Sequence, residues 1–154
     1  MTSTSTPSLS RRGRAAYAVV AVLAWAGVAA TVSITTAGGY PPPAFYEPGL
    51  FAGAPEGWAG APQRLVECLS YFTELSNIVV AVIATRLARG RGPVGRWTRA
   101  IHLCATMMIT VTAIVYAALI APSDALRGIA VITNPLQHVV VPAAMVAAAF
   151  VFGP

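Results

Sequence analysis

Four stretches of the chain are apolar for long enough to cross a bilayer. About 30 Å of hydrocarbon at 1.5 Å per residue takes about 20 residues, and the runs 15–36, 65–85, 100–121 and 129–152 reach that length. Between the first two lies a segment, 38–63, whose Pro and Gly content argues against a regular helix or a central strand. Tyr40, Phe45, Tyr46, Phe51 and Trp58 give that segment an amphipathic character suited to the headgroup region. The start of the chain, rich in Ser and Thr, has nothing to bury, so 1–14 is expected to be a disordered tail. The pattern predicts an all-α fold, a polytopic transmembrane helix bundle with four spans, in which 15–154 forms the helical domain.

Two short polar stretches interrupt these apolar runs. They are Tyr71-Phe72-Thr73-Glu74-Leu75-Ser76-Asn77 and Asn134-Pro135-Leu136-Gln137-His138. Polar and ionisable groups are costly inside a bilayer and persist there when they pair, line a cavity or do chemistry. On a continuous helix Glu67, Ser70, Thr73, Glu74 and Asn77 share one face, which must look into the bundle. The third run repeats the pattern more weakly with His102, Thr106, Thr110 and Tyr116. In the fourth, Asn134, His138 and Pro142 are spaced i, i+4, i+8 and stack on one face. Pro142 has no amide hydrogen for the carbonyl of His138, which leaves the backbone beside that histidine open. The second and fourth spans run in the same direction, so Thr73 and His138 share a level. His102, next to Arg99 at the far end of the third span, is a poor partner for Thr73.

Composition and charge narrow the class. Of 154 residues, 56% are hydrophobic and 10% charged, more apolar surface than a soluble domain of this size can bury. Cys68 and Cys104 lie inside predicted spans without a Cys-x-x-Cys spacing, so neither a disulfide framework nor a zinc site is expected, and both read as core residues. No cofactor motif is present. The net charge of +5 comes from arginine, with no basic amphipathic helix, and does not read as a nucleic-acid footprint. It reads as topology: Arg11, Arg12 and Arg14 flank the first span, and Arg86, Arg89, Arg91, Arg96 and Arg99 crowd the link between the second and third. The positive-inside rule puts both segments, and hence the N-terminus, in the cytoplasm of a cell-membrane protein, with 38–63 outside. The first run is longer than the usual signal-peptide core of about 7 to 15 residues and lacks a small-x-small cleavage site, which favours a retained span.

A threonine and a histidine at one depth suggest nucleophilic catalysis. A threonine hydroxyl is weak until a positioned base takes its proton, and histidine is the usual base. Thr73 would attack an ester carbonyl and His138 would accept and return the proton. Asn77 or Asn134 would offer an amide to the developing oxyanion. Plainer roles exist for each residue. Thr73 can bond back to the carbonyl of Leu69, His138 can bond backbone or water at the interface, and Ser70, Asn77 and Thr110 can hold helices together. Glu67 is shallow enough to reach headgroup water, whereas Glu74 must be protonated, paired or beside a wet cavity. Three classes follow: a lipid-ester hydrolase, a proton-coupled carrier using Glu67, Glu74 and His138, and a non-catalytic membrane scaffold.

The motifs Tyr-Phe-Thr-x-x-Ser-Asn at 71–77, Tyr116 near the end of the next span, and Asn-x-x-x-His-x-x-x-Pro at 134–142 resemble the androgen-induced-protein and ADTRP-like family of integral membrane proteins, most closely its actinobacterial Pr-six-Pr branch. The resemblance covers the chain from Leu65 onward. It implies a threonine hydrolase that cleaves fatty-acid esters of hydroxy fatty acids, with Thr73 and His138 as the catalytic pair and Ser70, Glu74, Asn77, Tyr116 and Asn134 as supporting polar residues. Glu74 beside the nucleophile and Ala117 after Tyr116 depart from the family pattern. The family has about six spans, so a chain with four is expected to be a fragment lacking the last two.

Overall fold

The computed structural model describes residues 8–40, 53–90, 93–122 and 126–153, and among them the fold is all-α. Helix α1 is Arg11–Ala37, a 3-10 turn at Gly57–Gly60 leads into α2, Ala61–Ser70, and α3 is Phe72–Arg89. Helix α4, Arg96–Val115, runs on into a π-helical turn at Tyr116–Ile120. The last span is α5, Ala130–Pro135, a second π turn at Leu136–Val140, and α6, Val141–Phe152. Three helical stretches, Arg11–Ala37, Arg96–Ile120 and Ala130–Phe152, are long and apolar enough to cross a membrane, and the bent pair Gly57–Ser70 and Phe72–Arg89 is so when its two helices are counted as one span.

Each helix end has a local cause. Ser10 caps α1, its hydroxyl accepting from the Gly13 N–H at 3.0 Å. The same helix stops at Gly38, whose left-handed φ of 76° lets Gly38 and Gly39 donate back to the carbonyls of Thr35 and Ile34. The expected tail at 1–14 is therefore too long: Arg11 to Arg14 are already helical because Ser10 supplies a cap, while 1–7 lie outside the described residues. The predicted loop 38–63 is likewise shortened at its end, where Pro62 fits the first turn of α2. Arg64 explains why that turn is held. Its guanidinium donates to the carbonyls of Thr36, Pro55 and Gly57, tying the start of α2 to the end of α1. Phe45, Tyr46 and Phe51 fall outside the described residues.

The largest departure is in the second span. It is not one straight helix: α2 and α3 meet at Tyr71 with extended backbone (φ −69°, ψ 134°) and an angle of 73°. Helix α3 has 18 residues, so it alone covers about 27 Å, close to the hydrocarbon thickness.

The core sits between α1 and α3. Tyr17, Val20, Ala21 and Ala24 of α1 pack with Val80, Ala81, Ile83, Ala84 and Leu87 of α3, and Ala105, Ile109, Val141, Met145 and Ala148 close it from α4 and α6. Small side chains let two backbones approach, which is how helices associate where lipid offers no hydrophobic drive. Trp25 Nε1 donates to Thr85 Oγ1 at 3.1 Å and fixes the level of the two helices. Val22, Val82, Leu103, Met107, Ile114, Leu119, Val139 and Phe150 point outward, as lipid-facing residues do. Cys68 is buried as expected, but Cys104 is exposed on that outer face, because α4 turns His102, Ala105 and Ile109 inward instead.

Candidate functional site

The break at Tyr71 starts a new helix, and Thr73 occupies its first turn. No side chain caps α3, and the N–H groups of Phe72, Thr73 and Glu74 are not used inside the helix; the Leu75 N–H is the first to close, onto the carbonyl of Tyr71 at 3.0 Å. A carbonyl at position i−4 is therefore not on the same helix. The hydroxyl of Thr73 instead faces His138, with Oγ1 3.2 Å from Nε2.

The histidine is oriented from behind. The carbonyl of Asn134 lies 3.0 Å from His138 Nδ1 and can only accept, so Nδ1 carries the hydrogen. In the neutral ring this leaves the Nε2 lone pair for the Thr73 hydroxyl. The face of the ring is fixed by Tyr116, whose ring stacks on it with centroids 4.2 Å apart and planes 30° from parallel. Both rings stand on π turns, Tyr116 at the start of the first and His138 within the second. Such turns recur at functional sites. Pro135 before the second turn and Pro142 after it cannot donate to the helix ladder, which explains why the ladder shifts there.

A second layer clamps the same two elements. Glu74 and Gln137, the chain neighbours of Thr73 and His138, are both buried, and Gln137 Nε2 donates to Glu74 Oε2 at 2.9 Å. Asn77 Nδ2 donates to the carbonyl of Thr73 at 2.9 Å and to that of Gln137 at 3.3 Å. Ser76 donates to the same Thr73 carbonyl and lies 2.9 Å from the hydroxyl of Thr112 on α4. Gly27 lets the second π turn lie against α1, since a Cβ there would come within 3.1 Å of Gln137 Cγ. Two buried acceptors one turn apart, Glu74 Oε1 and Asn77 Oδ1, have no hydrogen-bond donor among the described residues.

The expected face thus splits. Thr73, Glu74, Asn77, Asn134, His138 and Tyr116 come together. Ser70 and Glu67 do not, because they precede the break: Ser70 is exposed and donates to the carbonyl of Val66, and Glu67 accepts from Gln63. The Asn77 amide is committed to two backbone carbonyls, so it holds the helices together rather than facing an oxyanion. Thr106 and Thr110 each donate to the carbonyl four residues back. Ser76, Thr112 and Gln137 belong to the clamp although the helical face did not include them; the polar character of 71–77 and 134–138 was the signal for Ser76 and Gln137, and Thr112, in the apolar run of α4, had none.

His102 lies at the other end of the bundle. Its Nε2 is 2.8 Å from the hydroxyl of buried Tyr17, which also reaches the Ala148 carbonyl at 3.5 Å. Tyr17 carries no sequence signal, being one aromatic residue in an apolar run. Among the described residues no group of three His, Cys, Asp or Glu gathers as a metal site would require.

No family model, curated protein or solved structure matches the chain.

Proposed function

We propose that this protein is a membrane-embedded hydrolase of lipid esters with Thr73 as nucleophile and His138 as general base. The observation that carries the reading is the 3.2 Å contact between Thr73 Oγ1 and His138 Nε2, made by a ring whose other nitrogen is held by a backbone carbonyl. That is the nucleophile, base and orienter arrangement of covalent catalysis, with a carbonyl in the third role. The threonine oxygen attacks the ester carbonyl while its proton passes to Nε2. The imidazolium then returns the proton to the departing alcohol, and a water activated by the same nitrogen releases the acid and frees the hydroxyl. The N–H groups of the first turn of α3, which are not used inside that helix and stand at the positive end of its dipole, supply the oxyanion stabilisation that the sequence reading gave to an asparagine. The motif resemblance to the androgen-induced-protein and ADTRP-like family supports the same residues and the same substrate class, fatty-acid esters of hydroxy fatty acids.

The full chain in membranes is expected to be labelled covalently at Thr73 by a fluorophosphonate probe, with labelling lost in Thr73→Ala and retained in Ser70→Ala. Equal labelling of the two variants would remove Thr73 as the nucleophile. A second reading, a proton-coupled carrier, rests on buried Glu74 with one oxygen lacking a donor among the described residues. It predicts pH-driven flux in proteoliposomes that Glu74→Gln abolishes, and no labelling of Thr73. Absence of both would leave a scaffold.

We further propose a cell-membrane location with the N-terminus inside. The support is that eight of ten arginines flank the start of α1, the end of α3 and the start of α4. Single cysteines at Ala54 and Gly95 are expected to react with an impermeant thiol reagent from opposite sides of sealed cells; Gly95 has open space for a side chain. Reaction of both from one side would overturn this topology.

A further inference from the structure

The end of α3 and the start of α4 line a half-open cavity of about 550 Å³. Its lining includes Arg86, Arg96, Trp97 and Thr98. It lies at the end of a helix of nearly full hydrocarbon length, so its depth is that of the headgroups.

The cavity is cationic, and no carboxylate among the described residues lines it. No Asp or Glu occurs between Glu74 and Asp124, whereas five arginines do. Arg86 Nε donates to Thr98 Oγ1 at 3.1 Å, and its terminal nitrogens have no partner among the described residues. Arg96 sits 5.4 Å from the centre of the Trp97 ring, with no hydrogen bond among the described residues to hold its guanidinium elsewhere. The N–H groups of Arg96, Trp97 and Thr98 open a 20-residue helix without a side-chain cap, while the Arg99 N–H closes onto the Gly95 carbonyl. Two forked cations, a hydroxyl and helix-end amides around one cavity form a receptor for a phosphate group. Trp97, 70% exposed beside them, is the residue type that rests at the headgroup level. Phosphate at that level belongs to lipid.

We propose that this cavity binds the phosphate headgroup of an anionic phospholipid, which lies in the leaflet next to the arginine-rich end. The site is distinct from Thr73 and His138, and does not depend on their being catalytic.

The test uses the full chain in nanodiscs containing phosphatidylcholine and phosphatidylglycerol, with lipid retained on the released protein counted by native mass spectrometry. Phosphatidylglycerol is expected to be retained in preference to phosphatidylcholine. Arg96→Gln should lower its retention about tenfold, the size of one charge-assisted hydrogen bond, and Arg86→Gln with Arg96→Gln should lower it further. Arg12→Gln removes the same charge at the same end but outside the cavity, and should leave retention within about twofold, as a screened surface charge does. Since Arg86 also holds Thr98, the single Arg96 variant decides the matter if the double variant does not fold. Equal losses in the Arg96 and Arg12 variants would mean diffuse attraction and overturn the proposal. So would retention unaffected by Arg96→Gln, or displacement of the lipid by low inorganic phosphate, which would make a soluble anion the ligand.

Discussion

His138→Ala is expected to lower turnover of a long-chain ester substrate by about 10²- to 10⁴-fold, the range associated with a positioned general base. Thr73→Val should bring it to background, because a valine has no oxygen to acylate, while Thr73→Ser should keep measurable turnover. The two losses should not multiply. A pair acting as one unit shows nearly the same residual rate when either or both members are removed. Gln137→Leu gives a useful contrast. It removes the donor to Glu74 Oε2 but no atom of the reacting pair, so turnover and stability should fall together. Turnover that survives His138→Ala within about threefold would eliminate the base role, since a proton acceptor is worth far more than that.

The other large effect is steric. Ala24 on α1 and Ala84 on α3 are both fully buried and are the chain neighbours of Trp25 and Thr85, whose hydrogen bond joins the two helices, so they lie in the core that α1 and α3 share. Ala24→Leu adds volume with no empty space to receive it, and should destabilise the bundle by about 1–3 kcal/mol, as overpacking does. Ala26→Leu is its control. Ala26 is exposed toward lipid, and the same added methylenes there should cost within about 0.5 kcal/mol. Reversible unfolding in mixed micelles measures both. Equal stability of the two variants would mean that α1 and α3 are not packed through these alanines.

What could be read beforehand, and what could not, divides along physical lines. Thr73 and His138 stood out because a polar group within an apolar run is improbable without a partner, and their shared depth followed from counting residues. The bundle and the outward-facing apolar side chains followed from length and hydropathy. The break at Tyr71 left no comparable mark. Glycine and proline announce a change of backbone direction; a tyrosine in extended conformation does not, and a wheel drawn through it wrongly carried Glu67 and Ser70 to the site. Asn77 carried two readings, a donor to an oxyanion and a group that holds helices together, and the second is the one seen: two backbone carbonyls, one on each element, take its amide. Tyr17 was unreadable because the hydroxyl that meets His102 sits on a side chain otherwise at home in lipid.

The break at Tyr71 also decides where chemistry would meet its reactants. An α3 that crosses the bilayer along its normal would, with the bend of 73°, lay α2 almost along the membrane plane, and Thr73, the second residue of α3, stands within about 3 Å of the helix start. The hydroxyl is then at the boundary of the hydrocarbon, not a third of the way through it. Ester carbonyls of amphiphiles gather at that boundary, because they are too polar for the acyl region and too tethered to leave it. Water is present at the same level. A deeper threonine would need a channel to deliver the water that releases its acyl group, and a tunnel to bring an ester down to it. At the boundary both would arrive by lateral and ordinary diffusion, and an acid released by the proposed hydrolysis would ionise where its charge is solvated, so product would leave without crossing a barrier.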